Sequence, residues 1–271
     1  MVRALWTAAS GMSAQQNNVD TISNNLANVN TTGYKTEVAE FKTLLYQNVQ
    51  STTTSANGEN KPISAQIGLG VRNSSVTSIF TQGSFYASTS STAFAMDGAG
   101  FFGVQGADGS NYYTKNGNFT LSKGINGLTL STTDGYPVLD TEGNEIAFAD
   151  DIDSSQLALT SNGEFTYPDE SNNPQLLGIS IGIFQFTNPA GLEKTDSSLY
   201  QETAASGAVI NEATSTAVTK SSIKQGYLEG SNVQVVDEMV NLIVAQRAYE
   251  MNSKAIQAAD EMMGQANSLR R

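Results

Sequence analysis

Large apolar side chains recur every seven residues near the C-terminal end of the chain, at Val235, Leu242, Tyr249, Ile256 and Met263. Met239 occupies an intervening position of the same repeat. A heptad repeat of this kind is typical of a long helix that presents one face to a partner helix. The pattern predicts a helix from Ser231 to Leu269, started by a capping box of Ser231 and Gln234.

A second repeat of the same period lies at the other end of the chain, at Leu5, Met12, Val19 and Leu26, with Ala8, Gln15, Ile22 and Val29 between them. An ordinary amphipathic helix packed on a core would give the same pattern. Pairing of the two terminal helices as a coiled coil is the simplest way to bury both stripes. The predicted pairing and assembly residues are Leu5, Met12, Val19, Ile22, Leu26, Val29, Val235, Met239, Leu242, Tyr249, Ile256 and Met263.

The middle of the chain carries turn signals instead of a helical repeat. Asp-Gly and Asn-Gly pairs recur about eight to eleven residues apart, which is the spacing of short antiparallel strands. We therefore predict an α+β protein whose terminal helices pair and whose centre is an antiparallel, all-β domain. The expected divisions are an N-terminal axial helix at 1–35, a connecting segment with a Ser/Thr/Asn-rich loop at 36–67, the β domain at 68–201, a return linker at 202–225 and a C-terminal axial helix at 226–271.

Charge and hydropathy restrict the partners of this 271-residue chain. Its formal net charge is -12, which argues against nucleic acid and against an anionic membrane surface. No apolar run is long enough to span a bilayer, so direct membrane insertion is not expected. The first residues lack the basic region and apolar core of a secretion signal, so no classical, cleaved signal peptide is expected.

The residue inventory also restricts the chemistry. The chain has neither His nor Cys, which excludes Ser-His-Asp and Cys-His sites and removes the usual zinc ligands. Gly98–Gly103 matches G-x-G-x-x-G and Gly178–Gly182 matches G-x-S-x-G, but neither is followed by the helix that these motifs require. We predict no enzyme activity, no cofactor, and no catalytic or metal-binding residues.

Two ordered motifs carry a resemblance to a known family. Their residues are Asn25, Leu26, Ala27, Asn28, Asn30, Thr32 and Gly33 near the first helix and Gln246, Arg247, Ala248, Tyr249 and Glu250 in the second. These sequences resemble the bacterial flagellar axial proteins of the rod and hook. The opening Arg3–Ala8 and the stretch Gln66–Arg72 are similar to the distal-rod subtype.

The resemblance implies a structural role. It implies a subunit of the distal rod in the flagellar basal body, forming a rigid helical homopolymer that transmits motor torque to the hook. The implied partners are further copies of the chain, proximal rod and hook subunits, ring proteins around the rod, and the flagellar export apparatus. It also implies that the 47–65 loop packs against neighbouring subunits and stiffens the rod.

Two alternatives remain at this point. One is a proximal rod or hook subunit of the same family. The 47–65 loop distinguishes this chain from a hook protein, because a hook protein would lack that loop. The other is a secreted carbohydrate-binding or hydrolytic module, in which Asp150 and Glu164 would serve as a carboxylate pair.

Overall fold

The computed structural model describes residues 2–50, 65–124, 127–149, 152–153, 156–169, 173–195, 198–216 and 218–269. The two long helices are α1 (Val2–Ala27) and α2 (Val235–Ser268). The chain divides into two compact units. We call the first, made of Met1–Ala27, Glu37–Ser78 and Gln234–Arg271, the helical unit, and the second, made of Asn28–Thr36 and Ile79–Val233, the β unit.

The helical unit contains α1, α2 and two antiparallel pairs of strands. The strands are β1 (Glu37–Thr43), β2 (Tyr46–Gln50), β3 (Ala65–Gly68) and β4 (Val71–Ser78). β1 pairs with β4 and β2 pairs with β3, so that the two pairs follow one another along the same hairpin. α1 and α2 contact each other.

The Ser/Thr/Asn-rich segment expected as a loop is partly strand. Its first residues belong to β2 and its last residue begins β3. Backbone pairing across the hairpin supplies hydrogen bonds that the side-chain composition does not indicate. Residues 51–64 of that segment lie outside the described residues.

The β unit is built from short antiparallel strands: β5 (Phe85–Ala87), β6 (Phe94–Asp97), β7 (Phe101–Gln105), β8 (Asn111–Thr114), β9 (Phe119–Gly124), β10 (Gly127–Thr132), β11 (Ala147–Phe148), β12 (Ala158–Leu159), β13 (Glu164–Pro168), β14 (Pro174–Ser180), β15 (Ile183–Gln185), β16 (Glu193–Lys194), β17 (Leu199–Gln201), β18 (Ile210–Asn211), β19 (Ser222–Gln225) and β20 (Tyr227–Glu229). The largest sheet has the order β16-β17-β8-β7-β15-β18. Smaller sheets are β11-β10-β9, β12-β13-β14, β19-β6 and β20-β5. The prediction of an α+β fold with antiparallel sheets is confirmed.

Aromatic and aliphatic side chains from these strands form the core of the β unit. Phe94, Phe102, Phe119, Leu130 and Phe165 are completely buried in it. The rings of Phe102 and Phe119 meet edge to face with their centroids 5.2 Å apart, which is a favoured geometry for aromatic pairs. The β unit therefore has a packed interior of its own.

Three boundaries differ from the sequence pattern. α1 ends at Ala27, so Val29 lies in the turn that follows it. α2 begins at Val235 after Gln234, whose side chain makes no capping hydrogen bond. The predicted capping box is therefore wrong; the hydroxyl of Ser231 instead accepts a hydrogen bond from Val233 N at 3.3 Å. The segment expected as a return linker contains β18 and β19.

Candidate assembly surfaces

Several small residues of α1 and α2 are buried, and Gly11 of α1 lies close to α2. A Cβ atom on Gly11 would lie 2.8 Å from Nδ2 of Asn252. Ala8 and Ala14 on α1 and Ala245 and Ala259 on α2 are buried. Because the distance between packed helices depends on the side chains at the contact, small residues here permit a close approach.

The residues predicted for helix pairing fall into three groups by burial. Ile22 is buried, and Val235, Met239 and Tyr249 are exposed. The half-buried members are Leu5, Met12, Val19, Leu26, Val29, Leu242, Ile256 and Met263. Their role in assembly stays a prediction.

The side of α2 away from buried Ala245 carries exposed apolar residues. With 3.6 residues per turn, these residues share one side of the helix, away from Ala245 and Ala259: Val236, Val240, Ile243, Val244, Met251 and Met262. Val236 is 74% exposed and Met251 is 64% exposed. We call these six residues the outer face of α2. Val236, Val240, Ile243 and Val244 are spaced as neighbours on one side of the helix, and clustered exposed apolar residues mark an interaction site more often than isolated ones do.

Further large apolar side chains of the helical unit are exposed. Trp6 on α1 is 71% exposed, and Leu45, between β1 and β2, is 86% exposed. Tyr46 and Ile67 are also exposed and lie on the β2–β3 pair. The helical unit therefore presents apolar surface on the hairpin as well as on both helices.

Asn25, a residue of the family motif, joins three elements of the helical unit. Its Oδ1 accepts a hydrogen bond from Glu37 N at 2.9 Å, and its Nδ2 donates to Glu37 O at 2.8 Å. The same Nδ2 lies 3.4 Å from Oε2 of Glu238 on α2. Asn25 is only 1% exposed, so these contacts take the place of water.

The remaining residues of the first motif form the turn after α1. Thr31 N donates to Asn28 O at 3.1 Å, and the hydroxyls of Thr32 and Tyr86 lie 2.8 Å apart. Gly33 has a φ of 69°, a left-handed conformation that favours glycine. Half-buried Leu26 and exposed Ala27 close the helix, and Asn30 is exposed in the turn.

The second motif lies on α2. Gln246, Arg247, Tyr249 and Glu250 are exposed and Ala248 is half-buried. Arg247 and Glu250 form an ion pair of 2.9 Å on the surface. Exposed pairs of this type contribute little stability.

A buried ion pair in the β unit was not anticipated from the sequence. Lys35 Nζ lies 2.6 Å from Glu229 Oε1, and each side chain is 1% exposed. Lys35 Nζ also donates to Thr81 O at 2.8 Å, and Glu229 Oε1 also accepts from Gly83 N at 2.9 Å. Asn232 lies three residues after Glu229, beyond the end of β20. We call Lys35, Glu229 and Asn232 the clasp.

Lys115 is a second buried lysine close to this pair. Burial lowers the pKa of Lys115 to about 8, and the positive charge of Lys35 acts in the same direction. The carboxylates of Glu229 and Glu212 raise the pKa of Lys115 but do not offset the burial. Its Nζ donates to Gly98 O at 2.8 Å and lies 5.0 Å from the centroid of the Phe101 ring.

The structure locates the residues that a cofactor site, a hydrolase site or a metal site would require. Gly98–Gly103 spans the turn after β6 and the first residues of β7, and Ser180 is the last residue of β14. Asp150, one member of the suggested carboxylate pair, lies outside the described residues. In the part of the chain that the structure describes, no three His, Cys, Asp or Glu side chains are placed to hold a metal ion. No described helix is both long and apolar enough to cross a membrane.

Three family models match the chain. Residues 5–35 match "Flagella basal body rod protein" and residues 224–269 match "Flagellar basal body rod FlgEFG protein C-terminal". Residues 95–169 match "Flagellar hook protein FlgE/F/G D1 domain". Both helices and part of the β unit are therefore covered by models of the same group of proteins.

Relatives of full length match as well. The chain is 43% identical to the flagellar basal-body rod protein FlgG of Borreliella burgdorferi, covering 100% of both chains. It is 42% identical to FlgG of Agrobacterium fabrum, over 96% of this chain and 97% of that one, and 35% identical to FlgG of Bacillus subtilis, over 100% of both. These matches define a structural protein of the flagellum and not an enzyme. The chain belongs to the family of flagellar basal-body rod proteins, in its FlgG branch.

Proposed function

We propose that this chain polymerises into the distal rod, a rigid tubular shaft that transmits motor torque to the hook during swimming. The rod proteins that it resembles are named for the basal body. In this proposal the chain reaches the rod through the flagellar export apparatus without a cleaved signal peptide. Its neighbours are other copies of itself, proximal rod and hook subunits, and ring proteins around the rod.

The outer face of α2 is the observation that carries this proposal. Burying a large aliphatic side chain contributes about 1.5–3 kcal/mol, and six such residues on one face of α2 are left exposed by the single chain. The outer face of α2 is separate from the side that carries buried Ala245 and Ala259. A subunit that binds through two different surfaces, in contacts that do not close into a ring, forms a helical filament.

We further propose that α1 and α2 pair as a coiled coil within each subunit. The heptad spacing of Leu5, Met12 and Val19 supports this arrangement, as does the contact of α1 with α2. The β2–β3 hairpin and the segment between its strands would add contacts to neighbouring copies, supported by exposed Leu45 and Tyr46.

A substitution on the outer face of α2 tests the polymer directly. Ile243 is 57% exposed, so Ile243→Asp should leave the monomer folded. Burying that charge in an assembly would cost several kcal/mol in every copy. We expect Ile243→Asp cells to be non-motile and to lack distal rods in electron micrographs of purified basal bodies. Gln257→Asp, at an exposed polar position of the same helix, is the matched control and should remain motile.

Leu26→Asp and Ile256→Asp test the proposed pairing of the helices. Both positions are half-buried, and we expect both variants to block assembly while the β unit stays folded. Trp6, the only tryptophan of the chain, reports assembly without a label, because its emission should shift to shorter wavelength when polymerisation covers it. Normal motility of the Ile243→Asp and Ile256→Asp variants would contradict the proposal.

A further inference from the structure

Three segments of the β unit continue directly into the helical unit. Thr36 is followed by β1, Ile79 follows β4, and Val233 is followed by Gln234 at the start of the second helical stretch. The fourth connection is the turn from α1 that leads into Gly33. All chain connections between the two units therefore pass through three segments of the β unit. The first segment is 28–36, the second is 79–84 and the third is 229–233.

Glu229, in the segment 229–233, forms hydrogen bonds with both of the other two segments. Its Oε1 accepts from Lys35 Nζ at 2.6 Å and from Gly83 N at 2.9 Å. Its main-chain oxygen accepts from Gly33 N at 2.8 Å. One residue thus fixes the first segment by its backbone and its side chain, and the second by its side chain.

Asn232 repeats this bridging three residues later. Its Oδ1 accepts from both N and Oγ1 of Thr36 at 2.7 Å. Its Nδ2 donates to Ile79 O at 2.9 Å and to Thr81 Oγ1 at 2.8 Å. The first and second segments are also joined directly, because Ile79 N donates to Thr36 O at 2.8 Å. Each segment is therefore bonded to the other two.

The backbones in this region approach too closely to shift without loss of contact. A Cβ atom on Gly83 would overlap the carbonyl oxygen of Gly230. Gly230 N donates to Ser84 O at 2.8 Å, which holds the second and third segments in one register. A displacement of one segment along another would break several of these bonds at once.

Stability alone does not account for an ion pair at this place. Removing two charges from water is costly, and a well-packed apolar pair is often as stable as a buried ion pair. Glu229 Oε2 is also buried without a hydrogen-bond partner among the described residues. Directional bonds from one lysine and one carboxylate do, however, help to specify the register of the segments that they join.

We propose that the clasp fixes the register of the three segments through which the β unit is joined to the helical unit, so that the β unit follows a twisting load applied to the helices. The second half of this inference rests on the proposed function of the chain in the rod. The first half concerns the subunit alone and is tested on the monomer.

The monomer test uses Lys35→Met/Glu229→Leu, which removes both charges and leaves neither unpaired. We expect the amides of Thr36, Ile79 and Gly230, none of which bonds to a replaced side chain, to exchange about tenfold faster or more, the factor for losing about one hydrogen bond. The amides of Leu130 and Val138 in the core should keep the exchange rates of the unmodified protein. Equal acceleration of exchange at all five amides, or no acceleration at any of them, would contradict the proposed role of the clasp.

The matched control is Lys224→Met/Asp97→Leu, which removes an exposed ion pair of 2.7 Å from the same unit. It should change neither set of amides. Asn232→Ala provides a second variant that buries no charge. It should accelerate exchange at Ile79 and Gly230 as well, and unchanged exchange there would also overturn the clasp.

The load test is made in cells. We expect clasp-variant cells to assemble basal bodies in normal number but to stop swimming at a viscosity that the control pair tolerates. Local exchange changes combined with full swimming at high viscosity would overturn the mechanical half alone. Absence of the labelled, unmodified chain from purified basal bodies would instead defeat the proposed function, and the monomer result would still stand.

Discussion

Asn25 holds the backbone of Glu37 at two points, accepting from its N–H at 2.9 Å and donating to its carbonyl oxygen at 2.8 Å. Two opposite residues in an antiparallel sheet exchange the same pair of hydrogen bonds. The side-chain amide therefore substitutes for a neighbouring strand at the start of β1. Through its third contact, to Glu238 on α2, Asn25 links α1, β1 and α2.

Asn25→Ala should destabilise the helical unit by about 2–4 kcal/mol, because it leaves polar groups of half-buried Glu37 and buried Glu238 without this partner. Chemical denaturation followed by the helical circular dichroism signal measures the change. Ser23→Ala, at an exposed position two residues earlier, should cost less than about 0.5 kcal/mol. Similar losses in the two variants would show that the buried bridge has no special role.

Gly33→Ala should destabilise the β unit more than Gly135→Ala. Both glycines have positive φ, 69° and 89°, so both variants carry the conformational cost of about 1–2 kcal/mol. Only at Gly33 would the new Cβ approach other backbone, 2.8 Å from Asn116 N, whereas nothing lies within 4 Å of that position at Gly135. We expect a further loss of about 1–3 kcal/mol at Gly33, measured by denaturation of both variants. Equal losses would mean that the turn moves freely.

The stability of the β unit should rise with pH above about 8 through Lys115. Burial holds the pKa of Lys115 at about 8, against 10.5 for the free side chain. Between these values the unfolded chain binds more protons than the folded chain, so the free energy of unfolding increases with pH. The total contribution is at most about 3 kcal/mol.

Lys115→Met isolates this contribution and should flatten the rise between pH 8 and 10. Above pH 10 Tyr113 acts in the opposite direction, because burial raises the pKa of Tyr113 to about 12 and the unfolded chain then loses its proton first. Denaturation at a series of pH values measures both slopes. An unchanged slope in Lys115→Met would place the charge of this lysine in contact with water.

Gly11→Leu should weaken the packing of α1 against α2, because its Cβ would lie 2.8 Å from the side-chain amide nitrogen of Asn252, which would have to move. Gly264→Leu is the control, since no atom lies within 4 Å of a Cβ there. Both variants gain about 1 kcal/mol of helix propensity. We expect the control to be more stable than the unmodified protein and Gly11→Leu to be less stable, as judged by thermal unfolding. A stabilised Gly11→Leu would show that the helices separate at no cost.

The sequence pattern predicted the elements better than their faces. The heptads located α1 and α2, and pairs such as Asp108-Gly109 located hairpin turns, with Gly109 at a φ of 77° between β7 and β8. The faces of the helices were harder to predict. The heptad pattern is defined by large apolar residues, whereas the most buried positions of α2 are alanines. Ala245 and Ala259 are each 1% exposed, whereas Ile243 is 57% exposed.

The clasp could not be predicted from local sequence patterns. Lys35 and Glu229 are 194 residues apart, and a single lysine or glutamate is most often a surface residue. The available signal was that Lys35 is the first lysine of the chain and follows a nearly uncharged stretch. Its partner could not be chosen from the sequence, because the choice depends on strand pairing between distant segments.

The helical unit takes its residues from both ends of the chain and from Glu37–Ser78. A nascent chain that stops before Gln234 has therefore made every residue of the β unit and none of α2. Until α2 is synthesised, α1 has no helix to cover its apolar stripe, and distant contacts of this kind form slowly. Such a truncated chain would therefore keep every residue of the β unit and leave exposed the part of α1 that α2 contacts.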